Sequence, residues 1–383
     1  ADCRVYQRAT RGFYANFGVE IAMSSQKQPS ITTPPEVGSA QVDLLARLCN
    51  AMAVSGDEQE VRQIVLDEIQ PYCDQVEVDG LGNVLATRLG SQAQKVRVMI
   101  AAHMDEVGFM LTNDEGEGLF SFETVGGIDP RQLVGKAVIV GREHTPAVIG
   151  AKPIHLTTAE ERKKALKVEE LRIDLGPEGS SKAKVGDRAT FATQLEALGP
   201  SIRAKALDNR LGVINLIELL RHAPENIDLL AAFTVQEEVG LRGARVAAYR
   251  FDPQIGMAID ATPAHDLPAY DVDVENTRYN TKLDHGPAIY LMDGATISDR
   301  RLAEWLIQTA ETENIPYQIR QPNPGGTDAG AIHRTRAGVP SISVSVPVRY
   351  AHSAASLIRK EDWANTLKLV YHALTRLTPE ILS

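Results

Sequence analysis

The most informative stretch of this chain is Ile227-Asp-Leu-Leu-Ala-Ala-Phe-Thr-Val-Gln-Glu-Glu-Val-Gly-Leu-Arg-Gly243. Its first part is almost entirely apolar, as in a strand whose sheet is covered on both faces. Two adjacent carboxylates, Glu237 and Glu238, follow where that strand should end, and Gly240 and Gly243 allow a sharp turn. If partly buried, such a pair must be neutralised by protons, cationic side chains or metal ions. Considered alone, the stretch leaves a solvated acidic turn as an alternative.

Length and charge limit the classes of protein that this chain can belong to. At 383 residues it exceeds the roughly 250–300 residues at which a single core stops growing, so two domains are expected. A net charge of −10 repels phosphate backbones, which excludes nucleic acid as a partner. No apolar run approaches the ~18 residues that span a bilayer. The three cysteines, Cys3, Cys49 and Cys73, have no metal-type spacing and cannot all pair, so we expect a cytoplasmic protein.

Periodicity divides the chain into three parts. Residues 1–40 are polar and aperiodic, and we interpret them as a tail or upstream extension that is expected to be disordered. Residues 41–111 and 201–383 alternate helical spacing with apolar runs, which predicts an α/β catalytic domain. Residues 112–200 contain short β-like pieces separated by Gly and Pro. This middle part therefore predicts a small β domain inserted into the α/β domain.

Ligand-type side chains follow the predicted strands at their carboxyl ends. They are His103, Glu237 with Glu238, Asp260 and His352, while Asp208 precedes a predicted helix. Ligands bind at that edge of an open α/β sheet, so these residues can converge. Imidazoles and carboxylates without a thiolate suit Zn²⁺ or Co²⁺, and a shared aspartate would bridge two ions ~3.5–4 Å apart. Taken singly, Asp208 is as well explained as a helix N-cap and His103 as a structural histidine.

A spare carboxylate beside two metal ions can accept a proton from an activated water. Glu237 and Glu238 are adjacent, so their side chains leave in different directions and one can be a ligand while the other is the base. Spacing alone leaves both assignments open. Asp105 stands two residues after His103, where it can orient the imidazole. The glycine-rich run 325–330 opens a further helix and can approach a substrate closely.

Five motifs resemble the M42 family of metallo-aminopeptidases and occur in that family's order. They are Ala102-His-Met-Asp-Glu-Val-Gly-Phe109, Ala206-Leu-Asp-Asn-Arg210, Gln236-Glu-Glu-Val-Gly-Leu-Arg-Gly243, Gly325-Gly-Thr-Asp-Ala329 and Arg349-Tyr-Ala-His-Ser353. The likeness covers about residues 40–380. It implies an α/β fold with a mixed, largely parallel sheet covered by helices, of the phosphorylase/hydrolase-like type. A PDZ-like β domain would be inserted into it.

The resemblance also implies roles for single residues and two divalent ions, Zn or Co, in each subunit. The implied metal ligands are His103, Asp208 as the bridge, Glu238, Asp260 and His352. The implied catalytic residues are Glu237, the general base, and Asp105, while Gly326, Thr327 and Asp328 are expected to bind substrate. The peptide bond after Asp208 is expected to be cis. The implied activity is removal of N-terminal residues from short peptides by a metal-activated water.

Relatives in this family assemble as dimers and as dodecamers, so residues 112–200 are expected to mediate self-association. A dinuclear-metal deacylase or dipeptidase with the same ligands is an alternative. So is a non-catalytic assembly subunit, although the presence of Glu237 argues against it. A glucanase, a label some relatives have carried, would need two carboxylates flanking a sugar rather than this histidine-containing set. Peptides and further copies of the chain are the expected partners, with neither nucleic acid nor membrane among them.

Overall fold

The computed structural model describes residues 27–268, 280–322 and 324–383. Its strands are β1 (Gln75–Val78), β2 (Val84–Arg88), β3 (Val96–His103), β4 (Gly108–Asp114), β5 (Leu119–Val125), β6 (Ala137–Val140), β7 (Thr145–Gly150), β8 (Arg172–Asp174), β9 (Arg188–Phe191), β10 (Glu196–Leu198), β11 (Ser201–Ala204), β12 (Ile227–Thr234), β13 (Ile255–Pro263), β14 (Ala288–Tyr290), β15 (Gln318–Arg320), β16 (Ser341–Val348) and β17 (Ser356–Arg359). Its helices are α1 (Ser39–Asn50), α2 (Gln59–Ile69), α3 (Leu207–Arg221), α4 (Arg242–Phe251), α5 (Arg300–Glu313), α6 (Ala329–Ile332) and α7 (Lys360–Thr375). None of these helices is long and apolar enough to cross a membrane.

Eight strands form a mixed sheet in the order β1-β2-β12-β3-β13-β16-β14-β15. The four central strands, β12, β3, β13 and β16, run parallel to one another. Almost all of their residues are buried, which explains why they occur in the sequence as continuous apolar runs. The prediction of a mixed, largely parallel sheet with helices is confirmed.

Alternate side chains of the central strands enter two cores on opposite faces of the sheet. Ile100 belongs to the larger core, to which α1, α2, α3, α5 and α7 contribute, whereas its neighbour Met99 packs with α4 and α6. Period-two alternation of this kind follows from the pleat of a strand. Because both faces are covered, polar groups of the central strands reach solvent only at the strand ends.

The inserted segment is a closed barrel of six strands in the order β4-β5-β8-β7-β6-β9, and it spans residues 108–191. Phe109 packs edge-on against Phe122 and Phe191 in a core of its own, with ring centroids 5.2 and 5.3 Å apart. The barrel begins and ends earlier than the predicted range of 112–200, because β10 and β11 pair with β17 in a separate three-stranded sheet. The PDZ-like form implied by the resemblance stays a prediction.

The polar stretch predicted as the tail 1–40 is not uniform. Residues 1–26 lie outside the described residues. Residues 27–38, by contrast, are held on the α/β domain: the guanidinium of Arg88 donates to the Ser30 hydroxyl at 2.6 Å, and backbone amides of this segment donate to carbonyls of the domain. Residues 27–38 therefore contact the domain through hydrogen bonds that hydrophobic periodicity does not indicate, and the tail predicted for residues 1–26 stays a prediction.

Candidate metal centre

Six side chains that were selected from the sequence meet at the carboxyl edge of the parallel strands. They are His103 at the end of β3, Glu237 and Glu238 after β12, Asp260 in β13, His352 after β16, and Asp208 at the start of α3. All six line one cavity of about 510 Å³. The convergence follows from the topology, because parallel strands end at the same edge of their sheet.

The ligand atoms form two groups that share Asp208. In one group, His103 Nε2 lies 3.3 Å from Asp208 Oδ1 and 3.5 Å from Asp260 Oδ1. In the other, His352 Nε2 lies 3.4 Å from Asp208 Oδ2 and 3.2 Å from Glu238 Oε2. The two oxygens of Asp208 thus face different histidines, as a carboxylate between two cations would.

Several features of this site fit divalent cations. Imidazole nitrogens and carboxylate oxygens are donors that Zn²⁺ and Co²⁺ accept. Glu238 Oε1 is buried and has no hydrogen-bond partner among the described residues. Burial and then the charge of Asp208 raise the pKa of Glu238 to about 8. A divalent cation would lower both costs of burying Glu238. It would be bound by the unsatisfied Oε1, and its charge would offset the repulsion between the carboxylates of Glu238 and Asp208.

Glu237 belongs to neither ligand group but lies beside them. Its Oε2 is 4.0 Å from His103 Nε2, and its side chain lines the same cavity. Burial raises the pKa of Glu237 well above its usual range; His103 opposes the shift, while Asp260 and Glu238 add to it. Its position beside the two groups makes Glu237 a candidate proton acceptor.

Asp105 is a buried residue that contacts His103 and the backbone of Glu237 and Glu238. Its side chain is completely buried and accepts hydrogen bonds from the Ser55 hydroxyl (2.6 Å) and from the backbone amides of Glu237 (3.0 Å) and Glu238 (3.2 Å). Its backbone carbonyl lies 3.1 Å from His103 Nδ1, and this contact directs Nε2 towards the cavity. Asp105 does not line the cavity, and these contacts would let it position His103 and Glu237, while the catalytic role expected for it stays a prediction.

His352 receives its orientation from the inserted segment. Its Nδ1 lies 2.9 Å from the carbonyl oxygen of Gly127, which follows β5, so Nε2 is left for the cavity. Burial opposes protonation of this imidazole, but Asp208 and Glu238 outweigh burial and raise the pKa of His352 to about 10. The second ligand group therefore depends on a contact between the barrel and the α/β domain.

The contacts at the start of α3 bear on the two roles that the sequence left open for Asp208, helix N-cap and metal ligand. The Asp208–Asn209 peptide bond is cis, as the resemblance implied. Asn209 makes the local contacts: its Oδ1 accepts from the amide of Gly212 at 2.9 Å and its Nδ2 donates to the carbonyl of Ile259 at 2.8 Å. Asp208 faces the two histidines, so the capping role falls to its neighbour.

The predicted substrate-binding residues divide into two kinds. Gly326 lines the cavity. Thr327 and Asp328 are buried beneath it: the Thr327 hydroxyl is 2.7 Å from that of Ser343, and Asp328 accepts a hydrogen bond from the Thr234 hydroxyl. Thr327 and Asp328 join the loop to β16 and β12, and substrate binding by the three residues stays a prediction.

Sequence reasoning missed a buried charged cluster below the site. The carboxylate of Glu106 accepts from Lys205 Nζ at 2.8 Å and from Arg210 Nη2 at 3.1 Å, and all three side chains are buried. Arg210 also donates to the backbone carbonyls of Met104 and Asp105. These residues stand within or next to the quoted motifs, but spacing carries no signal that distinguishes a buried ion pair from an exposed one.

Arg320 is a second residue that the sequence did not indicate. It lines the cavity although it is only 5% exposed, and its guanidinium lies 4.4 Å from the centre of the Tyr290 ring. Its Nε donates to the Thr262 hydroxyl at 3.1 Å, while Nη1 is buried without a hydrogen-bond partner among the described residues. The cavity therefore has one cationic wall.

The α/β core, with imidazoles and carboxylates converging at the carboxyl edge of the sheet, is typical of metal-dependent hydrolases. Comparison with known proteins makes the assignment specific. A family model described as M42 glutamyl aminopeptidase matches residues 82–369. The chain belongs to this family, and it is a hydrolase of the aminopeptidase type.

Two relatives and a solved structure illustrate the similarity. The chain is 31% identical to the lysyl aminopeptidase of Pyrococcus furiosus over 349 residues, 88% of this chain and 97% of the relative. It is 31% identical to the glutamyl aminopeptidase of Lactococcus lactis over 353 residues, again 88% of this chain and 97% of the relative. The Pyrococcus horikoshii TET1 peptidase, described as assembling into a tetrahedron or a large octahedral shell, is 32% identical, with a TM-score of 0.76 over 88% of this chain and 100% of that one.

Proposed function

We propose that this protein removes N-terminal residues from short peptides with two divalent ions, Zn²⁺ or Co²⁺, and Glu237 as general base. The observation that carries this proposal is the placement of Asp208, whose two carboxylate oxygens face two separate ligand groups. The residues that would hold the ions are His103, Asp208 and Asp260 on one side and Asp208, Glu238 and His352 on the other. When bound, such a pair supplies a water of lowered pKa and polarises a carbonyl oxygen.

The protein's own groups account for the proton and for orientation. Glu237 is placed to take a proton from the attacking water onto its carboxylate and to give it to the nitrogen of the leaving peptide as the C–N bond breaks. Asp105 fixes the turn that carries Glu237 through the backbone amide of that residue. The loop containing Gly326 forms part of the cavity wall, and its glycine lets the backbone of a peptide approach closely.

The preferred N-terminal residue follows from Arg320, and we infer that it is acidic. The relatives named above carry both lysyl and glutamyl names, so the family alone leaves this choice open. A largely buried guanidinium that lines the cavity would favour a carboxylate and repel an ammonium group.

A panel of aminoacyl-nitroanilides tests these proposals. Chelation should abolish activity, Zn²⁺ or Co²⁺ should restore it, and elemental analysis should give about two ions per chain. We expect kcat/KM to be higher for the glutamyl substrate than for the glutaminyl and lysyl substrates. Arg320→Gln should lower kcat/KM for the glutamyl substrate by about 10–100-fold, the value of a charged hydrogen bond, with a smaller change for glutaminyl. Cleavage of N-acylated substrates only, or of none, would contradict the aminopeptidase proposal.

We also propose that residues 108–191 mediate self-association. This barrel contributes the Gly127 contact to the site but none of the candidate ligand side chains, and the Pyrococcus horikoshii TET1 peptidase is described as assembling into a tetrahedron or a large octahedral shell. Light scattering should give a mass several times that of the 41.7 kDa chain. A monomer that remains monomeric with metal bound would contradict the proposal.

A further inference from the structure

A second cavity of about 800 Å³ adjoins the catalytic cavity, between α4 and α6. Its walls include Leu241, Arg242, Arg245, Tyr249, Arg334 and Arg336. Leu241 lines this cavity and the catalytic cavity alike, and it follows Glu238 by three residues. The arginine groove, as we call the surface formed by these six residues, therefore begins at the rim of the metal site.

The charge of the arginine groove is opposite to that of the chain as a whole. The chain has a net charge of −10, yet the groove is lined by four arginines and by no acidic residue. Arg336 is paired with Asp252 at 3.2 Å and lies 4.2 Å from the centre of the Tyr249 ring. Such a concentration of positive charge attracts anions to this part of the surface.

The other three guanidinium groups have no carboxylate partner among the described residues. Arg242 donates to the side-chain oxygen of Gln236 at 3.3 Å, and Arg334 donates to the backbone carbonyl of Gly330 at 2.7 Å, so both make neutral contacts. Arg245 is exposed. Within the part of the chain that the structure describes, no carboxylate lies within 4.0 Å of these three groups. They are available to a carboxylate that arrives from solution.

We propose that the arginine groove binds carboxylates of the peptide downstream of the cleaved bond, so that the enzyme prefers short peptides with acidic residues or a free carboxyl end there. The proposal rests on the proposed aminopeptidase function. An N-terminal residue held at the metal site directs the remainder of the peptide out of the catalytic cavity, and the rim at Leu241 leads into the groove. Guanidinium groups bind carboxylates in a two-point geometry, and the exposed Tyr249 ring offers an apolar face beside them.

Two matched peptide series test this proposal. All peptides keep the N-terminal residue whose nitroanilide is cleaved fastest, followed by glycines with one Glu or one Gln moved along the chain. Each is made with a free carboxyl end and with an amide end, which separates side-chain from terminal carboxylates. The enzymes compared are the wild type, Arg245→Gln, Arg334→Gln, the double variant, and Arg300→Gln as a control on the exposed face of α5.

We expect wild-type kcat/KM to be higher for a peptide with Glu than with Gln at one or two downstream positions, and this advantage to shrink with added salt. In the double variant, kcat/KM for the acidic peptides should fall by about three- to tenfold, which corresponds to the loss of one or two partly exposed ion pairs. Its kcat/KM for the Gln peptides should change little. Nitroanilide turnover, which involves no downstream residue, should be the same in all five enzymes. Arg245→Glu should shift the preference towards a Lys-containing peptide.

Three outcomes would overturn the inference. Equal kcat/KM for Glu and Gln peptides at every position would show that the groove takes no substrate carboxylate. An equal loss of kcat/KM in the Arg300→Gln control would show that the effect comes from the net charge of the protein and not from the groove. A change of assembly mass in the double variant, measured by light scattering, would make the groove an interface between copies of the chain. If the wild type cleaves no nitroanilide at all, the aminopeptidase proposal fails first, and the two failures remain distinguishable.

Discussion

Replacing Glu106 by Gln should destabilise the protein more than most single changes, because Glu106 is the only carboxylate among the described residues that pairs with two buried cations below the site. It accepts hydrogen bonds from Lys205, Arg210, the Thr190 hydroxyl and the backbone amide of Ala53. Thr190 lies in the barrel, whereas the others belong to the α/β domain. One carboxylate thus joins the two domains and offsets the charges of two buried cations, Lys205 and Arg210.

The magnitude follows from the burial of the partners. Lys205 is 1% and Arg210 0% exposed, so Glu106→Gln leaves two cations in the interior without a counter-charge. Removing one partner of a buried ion pair costs about 3–5 kcal/mol of unfolding free energy. Lys205→Met should cost less, because the remaining carboxylate and guanidinium still balance. The double variant Glu106→Gln/Lys205→Met should recover part of the loss.

The pH dependence has a definite sign. Burial opposes ionisation of Glu106, but the charges of Lys205 and Arg210 outweigh it, and its pKa lies below the usual range. The pKa of Lys205 is also lowered, by burial first and by repulsion from Arg210, since two cations share one carboxylate. A carboxyl group with a lowered folded-state pKa stabilises the protein above its unfolded pKa of about 4.3 and loses that contribution as the pH falls through the folded value. Glu106→Gln should remove this part of the acid dependence.

Urea unfolding at neutral pH measures the effect, with Glu160→Gln as a control because Glu160 and its partner Lys163 are exposed. Activity should fall together with stability in Glu106→Gln, since Arg210 also holds the backbone of the strand end that carries His103. Wild-type stability for Glu106→Gln, or a cost no larger than that of the control, would refute the reasoning. An equal cost for Lys205→Met would show that packing, not charge balance, dominates.

Glu237→Gln should keep its metal content and lose roughly 10²–10⁴-fold in kcat, whereas Glu238→Gln should bind metal more weakly and regain activity in excess metal; rescue of Glu237→Gln alone by metal would reverse the two roles. Ser55→Ala removes a buried hydrogen bond to the Asp105 carboxylate, so kcat should fall and the unfolding free energy should drop by about 1.5–3 kcal/mol, and an unchanged kcat would limit that hydroxyl to stability. Removal of residues 1–26 should leave melting temperature and turnover unchanged. Removal of 1–38 should lower the melting temperature, because residues 27–38 make backbone hydrogen bonds to the domain; equal melting temperatures would show that those bonds contribute nothing.

The amino-acid sequence by itself indicated which strands are covered on both faces and the edge of the sheet at which the candidate site lies. Continuous apolar runs such as Ile227–Thr234 predict strands covered on both faces, and the structure confirms them as the centre of the sheet. Because parallel strands end at one edge, side chains at positions as distant as 103 and 352 could be brought together on paper. Local spacing was sufficient here, since a strand end is a local feature.

Tertiary structure alone decided how these side chains face one another and what supports them. Which oxygen of Asp208 meets which histidine, and that the barrel carbonyl of Gly127 orients His352, depend on contacts between distant segments. Burial of Arg320 at the cavity wall and the grouping of arginines from α4 and α6 are likewise absent from any local pattern. The physical reason is that hydrophobic periodicity reports which face of an element is buried, whereas charge balance and hydrogen-bond partners are set by the segments that fold against it.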